Sequence, residues 1–306
     1  MLLALAGSVT LALATPRTDS YAAEVASWRA EHEARLKADD GWLTVSGLFW
    51  LKAGLNRVGA DPSNDIVLPS GSAPARLGVF EFDGVTTVFQ AEPGTRAASK
   101  GAPVSRLEMR AGSEPDAIVV NDLTMFVIQR GERIGVRLRD KNAATRREFT
   151  RLRWFPVDPA YRVTARFDGH AQPRKIPIAN VLGDTVEMVS PGFVTFVLGE
   201  HEWRLEPVLE TPDAAQLFFI FGDATNGAET YPSGRFLYSA LPRNGQVVLD
   251  FNRAENPPCA FTAFATCPLP PEQNRLPIRV AAGEMAYGHH QPGPGPSDTV
   301  PGARRQ

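Results

Sequence analysis

Apolar and polar positions change their rhythm along the chain, and each change predicts an element. Tyr21, Val25, Trp28, His32 and Leu36 recur at helical spacing, which predicts an amphipathic helix over residues 19–40. Asp19 or Ser20 can cap its first turn, and Asp39-Asp40-Gly41 ends it. His32 on that stripe reads as a packed side chain rather than a ligand. From Trp42 the period falls to two. Short runs at Val79–Phe82, Thr86–Gln90, Ile118–Val120, Thr124–Arg130 and Ile134–Arg139 alternate with turn signals, and they predict a β-sandwich over 42–150. Asn121-Asp122 and Gly131-Glu132 fit hairpin connections.

A second antiparallel region is predicted over 154–288. Its strands are Tyr161–Phe167, Lys175–Val181, Thr185–Val189, Phe193–Leu198, Glu202–Leu209 and Gln216–Phe221, with Gly183-Asp184, Pro191-Gly192 and Gly199-Glu200 as punctuation. The fold class is therefore mainly β, with an N-terminal helix, a sandwich and a further β region. Residues 289–306, rich in Pro, Gly and Ser, are expected to be a disordered tail, and His289-His290 at its start reads as incidental.

Composition narrows the functional classes. A net charge of −2 supplies no basic field for nucleic acid or anionic lipid. Residues 2–14, LLALAGSVTLALA, are apolar but too short to span a bilayer, and Ala12-Leu13-Ala14 places small residues before a cleavage point. This predicts a signal segment over 1–14 and a periplasmic or secreted protein. The basic residues that open such a segment are missing, so the true start is expected upstream. In an oxidising compartment Cys259 and Cys267 read first as a local disulfide, with buried free thiols and a catalytic thiol as the alternatives. No further His or Cys stands at metal-ligand spacing, so no metal and no cofactor is expected.

The densest chemistry lies between Gly222 and Gly283, where Asp223, Thr225, Asn226, Glu229, Tyr231, Arg235, Asp250, Asn252 and Asn256 fall on β-like sequence. Asp223, Thr225 and Asn226 can bond their own backbone and build a turn, or line an oxygen-rich mouth. Asn244-Gly245 is a hairpin signal. Closing it would put Phe236, Tyr238 and Ala240 on one core face with Val247, Leu249 and Phe251. Arg235 would then lie opposite Asn252 and diagonal to Asp250, a predicted Arg–Asp pair. No GxSxG, P-loop, HExxH or GxGxxG motif occurs.

Residues 222–287 resemble a bacterial and archaeal family known only as domain of unknown function 1684. The resemblance rests on Asp223-Ala-Thr-Asn-Gly, Glu229-Thr-Tyr, Gly234-Arg-Phe-Leu, Asp250-Phe-Asn, Asn256-Pro-Pro-Cys-Ala-Phe, Ala265-Thr-Cys-Pro-Leu-Pro-Pro, Asn274-Arg-Leu and Ala282-Gly-Glu. Upstream, Trp28-Arg, Asp40-Gly-Trp-Leu and Gly47-Leu-Phe-Trp-Leu fit as well. Glu255 departs from it, because a tyrosine is expected before Asn256. Residues 54–139 are similar to a forkhead-associated (FHA) sandwich, through Gly59-Ala-Asp-Pro-Ser-Asn-Asp-Ile-Val-Leu68. Ala60 replaces that family's phosphate-reading Arg, and Ser72–Gly78 lacks its Ser-Arg-x-His, so the sandwich shape alone is implied.

These features predict a binding or structural protein of the cell envelope. Its ligand would be a small sugar or carboxylate held by the nine polar residues. The other reading is a hydrolase using Glu229, Asp250 and Arg235.

Overall fold

The computed structural model describes residues 16–112 and 114–288; the predicted signal segment and tail lie outside them. The helix runs Pro16–Lys37. It starts before the expected cap, because proline at a first helical position gives up an amide that has no partner there anyway. Tyr21, Val25, His32 and Leu36 are all buried, so the stripe is the packed face. Among the described residues no helix is long and apolar enough to cross a membrane.

The sandwich forms as the alternation predicts. One sheet has six strands, in the order Val45–Trp50, Arg133–Asp140, Leu123–Arg130, Ala117–Val120, Ala98–Ser99, Ala102–Pro103. The other has five, in the order Ile66–Val67, Gly54–Gly59, Gly78–Phe82, Thr87–Ala91, Arg106–Met109. Both expected hairpins close, with Leu123 opposite Val120 and Arg130 opposite Arg133. Val58, Leu77, Phe80, Phe89, Ile118 and Met125 fill the space between the sheets.

The C-terminal region departs from the expected meander. Four of its expected strands merge into two long ones, Arg162–Ala179 and Thr185–Leu198. Pro191-Gly192 is no turn but lies within the second of these, opposite a register shift between Gly169 and Arg174. A Cβ on Gly192 would stand 2.5 Å from the Asp168 carbonyl oxygen, so the close crossing of backbones at this bulge needs glycine. These strands form a four-stranded sheet with His201–Leu205 and Gln246–Asp250. Gln216–Phe221 pairs separately with Arg235–Ala240.

The predicted hairpin of 235–241 with 246–252 does not form. The turn itself does, with Asn244 and Gly245 at φ 51° and 71°, the left-handed geometry that pair favours. Its two arms then diverge into different sheets, and Gln246–Asp250 pairs with Arg162–Arg166 instead. Leu237 from one arm and Leu249 from the other are buried in one core with Phe196, Phe219, Phe221 and Phe251. Phe218 and Phe236 point the opposite way, into a second layer with Ile176, Ile178 and Cys267. Burial on both faces is why Leu217–Phe221 reads as an unbroken apolar run. The helix packs against this region, where Tyr21 reaches Asp250 and His32 reaches Glu284, while Leu36 near its end packs with Leu43 and Phe149.

Candidate functional site

The nine polar residues separate into distinct networks. In the first, Asp223 receives Arg235 Nη2 at 2.6 Å, the Thr225 amide at 2.8 Å and the Thr225 hydroxyl at 2.6 Å. Asn226 ties the loop by donating to Thr230 Oγ1 and to the Tyr231 carbonyl. Arg235 is fully buried and also donates to the carbonyls of Val280 and Ala282. Its ion pair is thus with Asp223, not with Asp250 as predicted. The reason is the divergence of the two arms: Arg235 faces the interior from one sheet and Asp250 ends a strand of another.

Asp250 and Asn252 belong to a second network, which receives the helix. Tyr21 donates to Asp250 Oδ1 at 2.7 Å, and Asn252 Nδ2 donates to Tyr21 Oη at 2.9 Å and to the Asp158 carbonyl at 2.8 Å. Burial, then the Asp250 carboxylate, hold the Tyr21 phenol well above its ordinary range. Asn256 belongs to a third. Its amide and Nδ2 donate to Glu284 at 2.9 and 2.7 Å. His32 bridges this buried carboxylate, at 3.4 Å from Nε2, to Glu255, at 3.2 Å from Nδ1. The ring stacks on Trp28 and meets the edge of Trp154.

Glu229 stands apart, paired with Arg279 near the surface at 2.6 Å, and Tyr231 is buried in an apolar cluster with Phe149, Leu152 and Phe261. No contact joins any two of Glu229, Asp250 and Arg235; each has its own partner. The expected catalytic trio is therefore not assembled. His170 does approach a hydroxyl and a carboxylate, Ser190 and Glu206, but through the same Nε2, at 3.4 Å from each. A relay needs one ring nitrogen for each partner, so this is not a nucleophilic triad.

The open space lies elsewhere. A cleft of about 550 Å³ opens between the rim of the sandwich at Gln129–Gly131, the aromatic layer of the C-terminal region and the Cys259–Cys267 loop. Trp42, Phe218, Phe236, Tyr238 and Met188 line it, with Arg130, Asn180, Glu210 and Glu255 as polar groups. Phe218 and Tyr238 stack at 4.9 Å. Two smaller hollows, of about 420 and 340 Å³, also include Glu255 and run on towards Trp28, Arg35 and His32. Burial raises the Tyr238 hydroxyl far above its ordinary range, with the charges of Glu210 and Glu255 adding to it. Burial and the neighbouring Glu255 also raise Glu210, although solvent reaches that side chain and limits the effect. None of the nine polar residues lines this cleft. Glu210 and Tyr238 carried no sequence signal, being a lone acid before a turn and an aromatic on a predicted core face.

Cys259 and Cys267 are free thiols set against each other, each sulfur accepting the other's amide at 3.1 and 3.3 Å.

The family model described as "Protein of unknown function (DUF1684)" matches residues 147–285. An uncharacterised protein of Haloarcula marismortui, solved by NMR, is 33% identical over 46% of this chain and 78% of its own, at a TM-score of 0.39. The chain belongs to the DUF1684 family. An FHA domain crystallised with the intracellular domain of another protein is 17% identical over 30% of this chain and 97% of its own, at a TM-score of 0.23. EmbR of Mycobacterium tuberculosis, bound to a phosphopeptide, is 18% identical over 40% of this chain and 31% of its own, at 0.22. Scores this low add nothing to the sandwich assigned from the strand pairing. No curated protein matches the chain.

The DUF1684 segments now have physical roles. Asp223-Ala-Thr-Asn-Gly and Gly234-Arg-Phe-Leu build the buried ion pair; Asp250-Phe-Asn docks the helix; Asn256 and Ala282-Gly-Glu284 hold His32. Glu255, where a tyrosine was expected, supplies the second carboxylate on His32 and sits where all three hollows meet.

Proposed function

We propose that this DUF1684 member is a small-ligand-binding β protein of the cell envelope, periplasmic or secreted, and that its site is the cleft around Tyr238. The observation that carries this reading is the pairing of a stacked aromatic wall, Phe218 on Tyr238, with two carboxylates, Glu210 and Glu255, in one cleft of about 550 Å³. Such a site is concave and mostly apolar, with a few fixed polar groups. Of the two ligand classes expected from sequence, the chemistry favours a sugar. Aromatic rings cover the apolar face of a pyranose, and carboxylates and amides accept and donate to its hydroxyls. A carboxylate ligand would meet Glu210 and Glu255 as like charges. The export half of the reading rests on the apolar run 2–14.

A thermal-shift screen of cell-wall sugars, organic acids and amines, followed by calorimetry, tests the proposal. A sugar should raise the melting temperature through linkage. Tyr238→Ala and Glu255→Gln should lose that rise while remaining folded. Hits confined to organic acids would reject a sugar ligand, and hits untouched by both substitutions would reject the cleft as the site.

A further inference from the structure

The loop between Cys259 and Cys267 is fastened to the sandwich at three points. Thr262 Oγ1 donates to the Val45 carbonyl at 2.9 Å, Arg130 Nε to Thr266 Oγ1 at 2.6 Å, and an Arg137 amino group to the Phe264 carbonyl at 3.4 Å. Pro257-Pro258 stiffens one end and Pro268 the other. The two sulfurs are thereby held together by the fold, with little chain freedom left to lose on bonding.

Arg137 is a second, independent observation. It is 5% exposed, and its Nε has no hydrogen-bond partner. A buried guanidinium without a counter-charge is costly. The neighbouring charges of Arg130 and Arg139 worsen its position, and the two cysteines are the groups that relieve it. The thiols are unequal. The hydrogen bond from Cys267 lowers Cys259, with Arg137 contributing; burial raises Cys267, which lines the cleft. Cys259 is the partly exposed residue of the pair and Cys267 the buried one, which sets the first as the attacking thiol and the second as the resolving one.

We propose that Cys259 and Cys267 are a redox-active dithiol that exchanges with glutathione-type disulfides, rather than a permanent structural bridge. Cys259, as its thiolate, attacks one sulfur of the incoming disulfide; that S–S bond breaks and one thiol leaves with a proton. Cys267 then gives up its proton and attacks Cys259 Sγ, and the second thiol leaves. Two electrons pass from the protein to the small disulfide, and one S–S bond replaces another. This holds whether or not the cleft takes a sugar.

The test equilibrates the full chain with graded ratios of oxidised to reduced glutathione, quenches with acid, alkylates the remaining thiols and reads the mass. The expected result is a reversible change from dithiol to internal disulfide, with its midpoint inside the glutathione range. A pair that stays reduced at the most oxidising ratio overturns the proposal. So does a bond that stays closed at the most reducing ratio, since that is structural. In a Cys267→Ser background, adding Arg137→Met should slow alkylation of Cys259 about tenfold. An unchanged rate would remove Arg137 from the mechanism and overturn the assignment of Cys259 as the activated thiol.

Discussion

Replacing His32 with Gln removes the one cation that the fold places between Glu255 and Glu284, and the cost should depend on pH in a calculable way. Burial by itself would lower the imidazole. The hydrogen bonds and charges of the two carboxylates outweigh it and raise the group from its ordinary 6.5 to about 9. Because the folded value lies above the ordinary one, folding favours the protonated ring. Its contribution is complete below pH 6.5, shrinks between 6.5 and about 9, and is lost above that. At roughly 1.4 kcal/mol per pH unit, the interval is worth about 3 kcal/mol. The side chain is 7% exposed, so solvent screening removes little of it. Glu284 offsets a part, since complete burial pushes its own carboxyl up. His32, the Asn256 amide and Asn256 Nδ2 all converge on Glu284, and about 2–3 kcal/mol is the working figure. Urea unfolding of wild type and His32→Gln from pH 6 to pH 9.5 measures it, followed by tryptophan fluorescence, to which Trp28 and Trp154 beside the ring contribute. The gap between the two proteins should be widest at the acid end and close as pH rises through about 9. Parallel curves across that window would refute the bridged imidazolium, and a gap that widens with pH would reverse its sign.

The Arg235–Asp223 pair is buried on both sides, so Arg235→Met or Asp223→Asn alone should cost about 3–5 kcal/mol in chemical unfolding. The double variant should lose much less than the sum, and strict additivity would break the pairing. Glu229→Gln should leave the melting temperature unchanged, because its bond to Arg279 stands in solvent; a clear drop would mean that the surface pair holds the loop. Gly192→Ala forces a methyl against the Asp168 carbonyl and should cost about 1–3 kcal/mol, measured by the same unfolding assay; a neutral result would deny the tight bulge.

Local rules wrote much of this fold. The spacing of Tyr21, Val25, His32 and Leu36 set the helix and its buried face, because side chains on one helical face recur with the turn whatever they pack against. Alternation and turn residues set the sandwich strands, and Asn244-Gly245 set its turn, because left-handed backbone is a local preference. Those same rules do not say which strands pair. Arg235 and Asp250 share the expected parity, yet the arms after the turn enter different sheets, where Leu237 and Leu249 are buried in one shared core. Pro191-Gly192 reads as a turn and is a bulge, since only the partner strand reveals the crossing backbone that excludes a Cβ.

The polar stretch was legible as a place where directional bonds matter, but not as separate networks. Asp223 finds its cation within its own segment, whereas Asp250 and Asn256 complete theirs with Tyr21 and, through Glu284, with His32, more than two hundred positions away along the chain. The cleft was not legible at all. It is assembled from the sandwich rim, four strands of the C-terminal region and the cysteine loop, each contributing residues that are unremarkable in their own sequence neighbourhoods. Sequence by itself determined the elements and the residues able to bond. Tertiary packing alone decided which bonds closed inward as scaffold and which groups, Tyr238, Glu210 and Glu255 among them, were left facing an open space.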